Sequence, residues 1–493
     1  MPSSRGFRRL AALAAAVCAG VTLAGLPADA APDGPALARQ LVRKVTLDSM
    51  NRHLIAMQRI ADSNGGRRAP GTPGYEASAQ YVSGKLTAAG FDVSVQPFPV
   101  RYSQPLAERL VVGGANATIH MTLYTRNTPV GGITAPLAVA PNDGSPGCQA
   151  TDFAPGAFTG KIALIARGGC TFTVKHNNAA DAGAVGVILV NTADTWLRAS
   201  LASEADARIP IGGVSRSIGD SMAAHAGEPV TMELRTLDEM RTGKTIIAQT
   251  RTGRQDNVVV AGAHLDSVVE GPGVGTNGTG VAALLETAVQ LGGSPRVNNA
   301  VRFVFWGSWE FGIVSSPFYL QNLNFEQQLD IAMYLNFDGI GSPNAGYFVY
   351  DGDAGPFGSV QIEKAFTDYL TGRGVQTEVI PLAAMRSDQL SFMPLGIPTG
   401  GLFTGNQDRK TAAQAAKWGG TVGAPFDTCY HESCDTLGNI DRAVFDVNAD
   451  ALAWVTATYA MSTEDVNGVA PRAQRAASRT AAAKAARATV SLG

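Results

Sequence analysis

In the second half of this chain one order of elements recurs: an apolar run, then a polar residue, then a loop or helix. This recurring order constrains the fold more than any other feature of the sequence. Three apolar runs predict buried strands: Asn257–Ala263, Val301–Trp306 and Ala332–Phe337. A helical pattern over Val281–Leu291 follows the first run after a Gly-rich loop. Strands that alternate with helices predict an α/β fold, with a mixed, mostly parallel sheet covered by helices on both faces.

A polar residue follows each of these three strands. His264 comes directly after the first, Glu310 shortly after the second and Asp338 directly after the third. In sheets of this kind, ligands bind beyond the C-terminal ends of the strands. The sequence therefore predicts that these three side chains converge at one edge of the sheet.

The rest of the chain adds further elements of the same type. Helical or strand periodicity predicts helices over Leu37–Ala61, Tyr75–Ala89 and Phe445–Met461, and a strand over Phe91–Val100. Residues 464–493 are rich in Ala and Arg and lack a clear apolar stripe, which predicts a flexible basic tail.

The first thirty residues have the pattern of an export signal. Arginines, an apolar run and a small-x-small cleavage pattern follow one another: Arg5, Arg8 and Arg9, then Leu10–Leu26, then Ala28-Asp29-Ala30. A membrane anchor is the alternative, but the apolar run is short and a cleavage pattern follows it. We predict a signal peptide over residues 1–30 and a secreted, extracellular protein that leaves the membrane after cleavage.

Cysteine usage agrees with an oxidising compartment. Cys18 raises the alternative of a lipoprotein, but Val17 precedes it where a small residue is needed. Four cysteines remain after signal cleavage: Cys148, Cys170, Cys429 and Cys434. They allow three disulfide pairings, and short loop closure favours pairing within the first two and within the last two.

The charge balance excludes one class of partner. The 493 residues include 39 Lys and Arg against 41 Asp and Glu, a formal net charge of -2. This balance gives no basic footprint of the kind that binds nucleic acid. We expect a monomer without a nucleic acid partner.

Five short segments hold ligand-type residues: Gly262-Ala263-His264-Leu265-Asp266-Ser267, Thr276-Asn277-Gly278-Thr279-Gly280, Trp306-Gly307-Ser308-Trp309-Glu310, Asn336-Phe337-Asp338 and Cys429-Tyr430-His431. Together they resemble the metal-binding segments of the two-zinc bacterial aminopeptidases, metallopeptidase family 28. The resemblance implies a zinc-aminopeptidase-like domain split over residues 37–128 and 241–463. It also implies peptides or protein N-termini as partners.

A second resemblance covers the intervening block. Gly160–Phe172, with its Arg-Gly-Gly-Cys string, and Val185–Asn191 further on are similar to the protease-associated domain of secreted peptidases. An ordinary βαβ segment of the main domain is the alternative. The resemblance implies an inserted α+β, β-rich domain over residues 129–240, without catalytic residues, that shapes access or binds partners.

Carried over by position, the first resemblance assigns His264 and Asp338 to one zinc ion and Glu310 and His431 to the other. Asp266 is expected to orient the imidazole of His264. Paired metals of this type lie about 3.5–4 Å apart and share a water. The implied cofactor is zinc, with up to two ions.

Two positions depart from the family pattern. Thr276 stands where the resemblance implies the metal-bridging Asp, and Trp309 stands where it implies the general-base Glu. A hydroxyl cannot bridge two ions as a carboxylate does, and an indole N–H cannot accept a proton. Loss of a general base costs about 10² to 10⁴ in rate. The sequence therefore predicts a protein that is catalytically impaired or inactive and retains peptide binding.

The alternative is an active enzyme. The four remaining ligand-type residues supply two imidazoles and two carboxylates, enough donors for one zinc ion, and Glu270 lies in the same loop as Thr276. This reading predicts a zinc metalloaminopeptidase that releases N-terminal residues with a rearranged or one-metal site. The choice between one ion and none stays open at this point.

Weaker signals surround this set. Tyr430 matches a family position that stabilises the oxyanion, or else it is a packing aromatic. Arg386 either binds substrate or pairs with Asp388. Asp446 and Asp450 share a helical face, which suggests a calcium site or simply a solvated face.

Overall fold

The computed structural model describes residues 34–195, 197, 199–468 and 477–484. The predicted signal peptide and Cys18 lie outside the described residues. Within the described ranges, no helix is long and apolar enough to cross a membrane.

The helices of the described chain follow the predicted order. They are α1 (Gly34–Lys44), α2 (Leu47–Asp62), α3 (Pro73–Ala88), α4 (Phe172–Asp181), α5 (Arg216–Ala223), α6 (Gly278–Leu291), α7 (Ser315–Gln321), α8 (Phe325–Leu329), α9 (Ser359–Gly372), α10 (Gln389–Phe392), α11 (Ala412–Trp418), α12 (Arg442–Met461) and α13 (Glu464–Asn467).

The strands are β1 (Asp92–Val112), β2 (Ala115–Ala117), β3 (His120–Met121), β4 (Ile133–Val139), β5 (Ile162–Ala166), β6 (Gly186–Val190), β7 (Ile211–Val214), β8 (Pro229–Gln249), β9 (Arg254–His264), β10 (Asn299–Trp306), β11 (Ile331–Phe337), β12 (Phe348–Asp351), β13 (Glu378–Pro381) and β14 (Thr399–Phe403). They form one mixed sheet in the order β13-β12-β14-β11-β9-β10-β8-β4-β5-β6-β7-β3, with β1 paired to β8.

The centre of this sheet is parallel and covered on both faces, as predicted. Strands β10, β9, β11 and β14 run parallel. Along β9, Val259 and Ala261 contact the cluster that contains α6 and α12, whereas Val258 and Val260 belong to the cluster that contains α7 and α10. The period-two alternation of a buried strand therefore supplies side chains to two cores.

A long two-stranded ribbon joins this centre to the remaining strands. β1 and β8 are 21 residues each, with a bulge between Pro105 and Ala107. One end of β8 pairs with β10 and the other with β4, and β4 to β7 then run parallel. The predicted boundary between Met240 and Arg241 falls inside β8, so the two regions share one continuous pair of strands.

Two stretches of the C-terminal segment are helical in the described chain, Glu464–Asn467 and residues 477–484. The Arg479 side chain is buried and donates to the backbone carbonyls of Gln328 and Ile331. A single buried cation, rather than an apolar stripe, therefore attaches residues 477–484 to the rest of the described chain.

Candidate active site

Three neighbouring strands bring the first polar side chains together. In the sheet register Trp306 pairs with His264, and Asn336 pairs with Gly262. The chain segments that carry His264, Glu310 and Asp338 therefore leave the sheet side by side, as predicted.

The first His–carboxylate pair is His264 with Asp338, and we call it the strand pair. His264 Nε2 lies 3.3 Å from Asp338 Oδ1, and both residues are buried. Asp338 Oδ2 accepts a hydrogen bond from Ser387 Oγ at 2.7 Å. Burial by itself lowers the pKa of His264, but Asp338 and Asp266 outweigh it and raise that pKa well above the ordinary value.

Asp266 connects this pair to the next segment of the site. Its Oδ1 lies 3.3 Å from His264 Nδ1. Its carboxylate also accepts the backbone N–H groups of Trp309, at 3.0 and 3.1 Å, and of Glu310, at 3.0 Å. The predicted contact with His264 is present, and the same fully buried carboxylate holds the turn that follows β10.

The second pair is Glu310 with His431, and we call it the loop pair. Glu310 Oε2 lies 2.9 Å from His431 Nε2, and Glu310 Oε1 is buried without a hydrogen-bond partner among the described residues. His431 has a φ of 62°, in the left-handed region that non-glycine residues rarely adopt. The ring of Tyr430 stacks on His431 with centroids 3.8 Å apart.

Both disulfides favoured by loop length are present. Cys429 is bonded to Cys434, which closes the loop that carries His431. Cys148 is bonded to Cys170 in the region of β4 to β7. Short loop closure therefore selects the pairing among the three that the sequence allows.

Trp309 lies between the two pairs. Its indole stacks on His264 with ring centroids 5.1 Å apart and planes 15° apart, and it meets His431 edge-on at 5.9 Å. Indole Nε1 is buried, and no described residue accepts a hydrogen bond from it. One aromatic ring thus contacts both imidazoles that the family pattern implies as zinc ligands.

Thr276 is buried beside the strand pair. Its Oγ1 lies 3.6 Å from the position that a Cβ atom would take on Gly339, the residue after Asp338. Its backbone N–H donates to Asp435 Oδ2 at 3.0 Å, and that of Gly275 donates to Oδ1 at 2.7 Å. Burial raises the pKa of Asp435 to about 7, against the lowering effect of these two N–H groups. The Asp435 carboxylate therefore accepts hydrogen bonds from the backbone of this loop. The only side-chain oxygen at position 276 itself is the hydroxyl of Thr276.

One structural residue of the site has no signal in the sequence. Arg68 is fully buried, and its guanidinium donates to the carbonyls of Leu265, Pro272 and Gly273. Burial lowers its pKa to about 10, although Asp266 and Asp435 act to raise it. The arginine fixes the loop between β9 and α6, and its partners lie far along the chain.

The donor types suit zinc, but their arrangement does not fit a two-zinc centre. Two imidazoles and two carboxylates are donors that zinc prefers, and the free Glu310 Oε1 is consistent with a missing ligand. Against this, no carboxylate stands at Thr276, and the indole of Trp309 contacts both imidazoles. In the described part of the chain, no group of three or more His, Cys, Asp and Glu side chains is placed to hold a metal ion.

The remaining predicted residues are more dispersed. Arg386 is exposed whereas Asp388 is fully buried, and the described residues show no ion pair between them. Asp450 Oδ2 lies 3.6 Å from Arg373 Nη2, and burial raises the pKa of Asp450 to about 6. Because an arginine already faces this carboxylate, the geometry does not support the calcium hypothesis.

Comparison with known proteins agrees with this architecture. The profile of peptidase family M28 matches residues 245–456, and that of the PA domain matches residues 133–222. A Mycobacterium tuberculosis protein named "Probable lipoprotein aminopeptidase LpqL" is 42% identical over 458 residues, 90% of this chain and 91% of its own. An aminopeptidase of Pseudomonas aeruginosa is 41% identical over 467 residues, 89% of this chain and 86% of its own.

Solved structures share the fold. The aminopeptidase from Aneurinibacillus sp. strain AM-1 superimposes with a TM-score of 0.66 at 25% identity, covering 85% of this chain and 95% of that one. A zinc aminopeptidase from Bacillus subtilis gives a TM-score of 0.62 at 22% identity, covering 83% and 94%.

Proposed function

Because this chain belongs to peptidase family M28 and carries an inserted PA domain, we propose that it is an exported aminopeptidase-like protein whose hydrolytic centre is severely impaired. Its cleft is proposed to retain binding of peptides and protein N-termini, the substrate class that its aminopeptidase relatives imply. The strand pair and the loop pair are the proposed remnants of two zinc sites.

The position of the Trp309 indole carries this proposal. The ring centroid lies 5.1 Å from that of His264 and 5.9 Å from that of His431, so the indole contacts both imidazoles that would hold the zinc ions. Its only polar group is an N–H donor, so it cannot take a proton from an attacking water. The substitution therefore removes the base and fills the space in which the base would act.

Thr276 supports the same conclusion by a different route. Without a carboxylate at this position, each His–carboxylate pair has two protein donors, and among the described residues no carboxylate is placed to bridge two ions. Two dications close together also need carboxylate charge to offset their repulsion. Loss of the base alone accounts for about 10² to 10⁴ in rate, before any loss of metal is counted.

The test restores both family residues. We expect the variant Thr276→Asp/Trp309→Glu to bind zinc and to hydrolyse leucyl-4-nitroanilide at least about 10³-fold faster than the unmodified protein, which combines base and metal recovery. The control Thr276→Asp/Trp309→Gln removes the indole but supplies no base, and it should gain zinc without comparable turnover. Equal activity of the Glu and Gln variants, or no gain in either, contradicts the proposal.

Peptide binding is measured separately on the unmodified protein. Calorimetric titration should detect Leu-Gly-Gly and should not detect its N-acetylated form, because only the first carries a free N-terminus. No binding of either peptide would remove the retained-cleft part of the proposal and leave the catalytic part intact.

One observation favours an alternative, an active zinc aminopeptidase with a one-metal site. Glu310 Oε1 is buried and has no partner in the described part of the chain, and the four donors of the two pairs suffice for one ion. This alternative predicts one zinc per unmodified chain and chelator-sensitive hydrolysis of leucyl-4-nitroanilide. Metal analysis together with that assay distinguishes it from the impaired protein.

Export belongs to the proposal as well. The two disulfides suit an oxidising compartment, whereas one relative carries the word lipoprotein in its name. We expect the mature protein to start after Ala30 and to carry no lipid. Intact mass measurement checks this, and a diacylated chain starting at Cys18 would contradict it.

A further inference from the structure

The disulfide between Cys148 and Cys170 has a buried lysine beside it. Lys175 has no exposed surface, and its Nζ lies 3.6 Å from Cys148 Sγ. The same Nζ donates to the carbonyl of Pro146, which fixes the amine next to the sulfur. Lys175 lies on α4, which begins at Phe172, two residues after Cys170. The amine is therefore held in place by the fold and does not move freely on a surface side chain.

The other disulfide has the opposite surroundings. The N–H of Cys429 donates to the carboxylate of Asp427 at 2.8 Å, and Glu432 and Asp435 lie within or beside the loop. Cys434 is exposed, whereas Cys148 and Cys170 are only partly so. Exposure alone predicts that Cys429–Cys434 is reduced first, whereas the neighbouring charges predict that Cys148–Cys170 is.

We propose that the Cys148–Cys170 disulfide is a thiol-exchange site for dithiols, with Cys148 as the leaving sulfur next to Lys175. Rates of thiol–disulfide exchange rise when the leaving thiolate is stabilised, and a nearby ammonium stabilises a thiolate. Burial lowers the pKa of the Lys175 amine, and Asp152 acts to raise it. The amine carries hydrogens in either protonation state, so it can donate to the departing sulfur in both.

Exchange with a dithiol proceeds in two steps. One thiolate of the dithiol attacks Cys170 Sγ, the bond between the two cysteine sulfurs breaks, and its electron pair leaves on Cys148 Sγ. The second thiol of the reagent then attacks its own sulfur in the mixed disulfide and releases Cys170. The dithiol ends as a cyclic disulfide, and the protein gains two thiols.

Loop length acts in the same direction. The two bridges join residues 22 and 5 positions apart. Closure of the shorter loop is favoured by about tenfold on chain statistics, so Cys429–Cys434 re-forms more readily after reduction. The site belongs to the PA region and does not depend on the proposed peptide cleft.

The first experiment uses the unmodified mature protein. It is treated with limiting dithiothreitol, quenched at intervals with iodoacetamide and digested for mass spectrometry. We expect alkylation of Cys148 and Cys170 before Cys429 and Cys434. In parallel, a single-thiol reagent, glutathione, should form its adduct on Cys170 and leave Cys148 free. Earlier reduction of Cys429–Cys434, or an adduct on Cys148, overturns the proposal.

A second experiment tests the lysine itself. Lys175→Met keeps an unbranched apolar side chain as far as the Cε position but removes the amine, and it should slow reduction of Cys148–Cys170 about tenfold, with no change at Cys429–Cys434. Lys175→Arg should restore most of the rate, and Lys161→Met, at a partly exposed lysine of the same region, should leave it unchanged. A Lys175→Met protein that is folded by circular dichroism and reduced at the original rate contradicts the assignment of Lys175. If that variant does not fold, the order of reduction and the site of the adduct still decide the proposal.

Discussion

The strand pair and the loop pair each consist of an imidazole and a carboxylate, but different parts of the structure hold them in place. In the strand pair, the side chains of His264 and Asp338 are 0% and 6% exposed and follow directly from two neighbouring parallel strands. In the loop pair, the side chain of His431 is 19% exposed and stands on a disulfide-closed loop with left-handed backbone. Hydrogen bonds of the sheet fix the first pair, whereas local loop structure fixes the second.

This difference shows where the site can change without loss of the fold. Trp309 and Thr276 lie in the loops between the two pairs, where no ladder hydrogen bond depends on their side chains. The strand-end residues, in contrast, are part of the packed centre of the sheet. The hydrogen bonds of the sheet therefore do not constrain which side chains stand at positions 276 and 309.

The largest expected effect comes from Asp266, whose buried carboxylate contacts both His264 and the turn that carries Glu310. Asp266→Ala removes the acceptor of the Trp309 and Glu310 N–H groups and the partner of His264. We expect the free energy of unfolding to fall by about 4 kcal/mol, because a buried charge network loses its shared member. Urea denaturation measures this change. Asp368→Ala, at an exposed ion pair with Lys364, is the control and should change it by less than about 1 kcal/mol. An equally small effect at Asp266 would mean that the two pairs are independent.

The second prediction concerns the loop pair alone. Cys429→Ser/Cys434→Ser opens a short loop and should lower the free energy of unfolding by about 2 kcal/mol, mainly by freeing the unfolded chain. Hydrogen exchange should quicken in residues 427–436 and stay unchanged in residues 262–267. Faster exchange in both segments would show that the loop also supports the strand pair. It would contradict the inference that the two pairs are held by separate parts of the structure.

Local sequence patterns predict that His264, Glu310 and Asp338 converge, whereas the pairing of His264 with Asp338 comes from the family resemblance. Apolar runs of strand length, each followed by His264, Glu310 or Asp338, were sufficient to place those residues at one edge. Loop length was sufficient for the two disulfides. The family resemblance, and not periodicity, brought His431, Thr276 and Trp309 into the same site.

What the sequence did not predict depends on distant partners. Arg68 donates to Leu265, 197 residues further along the chain, and Arg479 donates to Ile331, 148 residues back. Neither contact leaves a periodic or motif signal, since a backbone carbonyl can belong to any residue. The stacking of Trp309 on His264 is of the same kind, because it requires the positions of a strand end and of a loop at once.

The smallest expected effect isolates the strand pair. Ser387→Ala removes the hydroxyl that donates to Asp338 Oδ2 at 2.7 Å and that accepts from Asn336 Nδ2 at 3.1 Å. The free energy of unfolding should fall by about 1.5 kcal/mol, the scale of one hydrogen bond to a charged group, because Asn336 keeps its bond to Tyr350. Ser391→Ala, whose hydroxyl contacts that of Ser316, is the matched control. Exchange in residues 427–436 should be unaffected in both variants, and a change there on removal of the Ser387 hydroxyl would show that the strand pair also holds the loop.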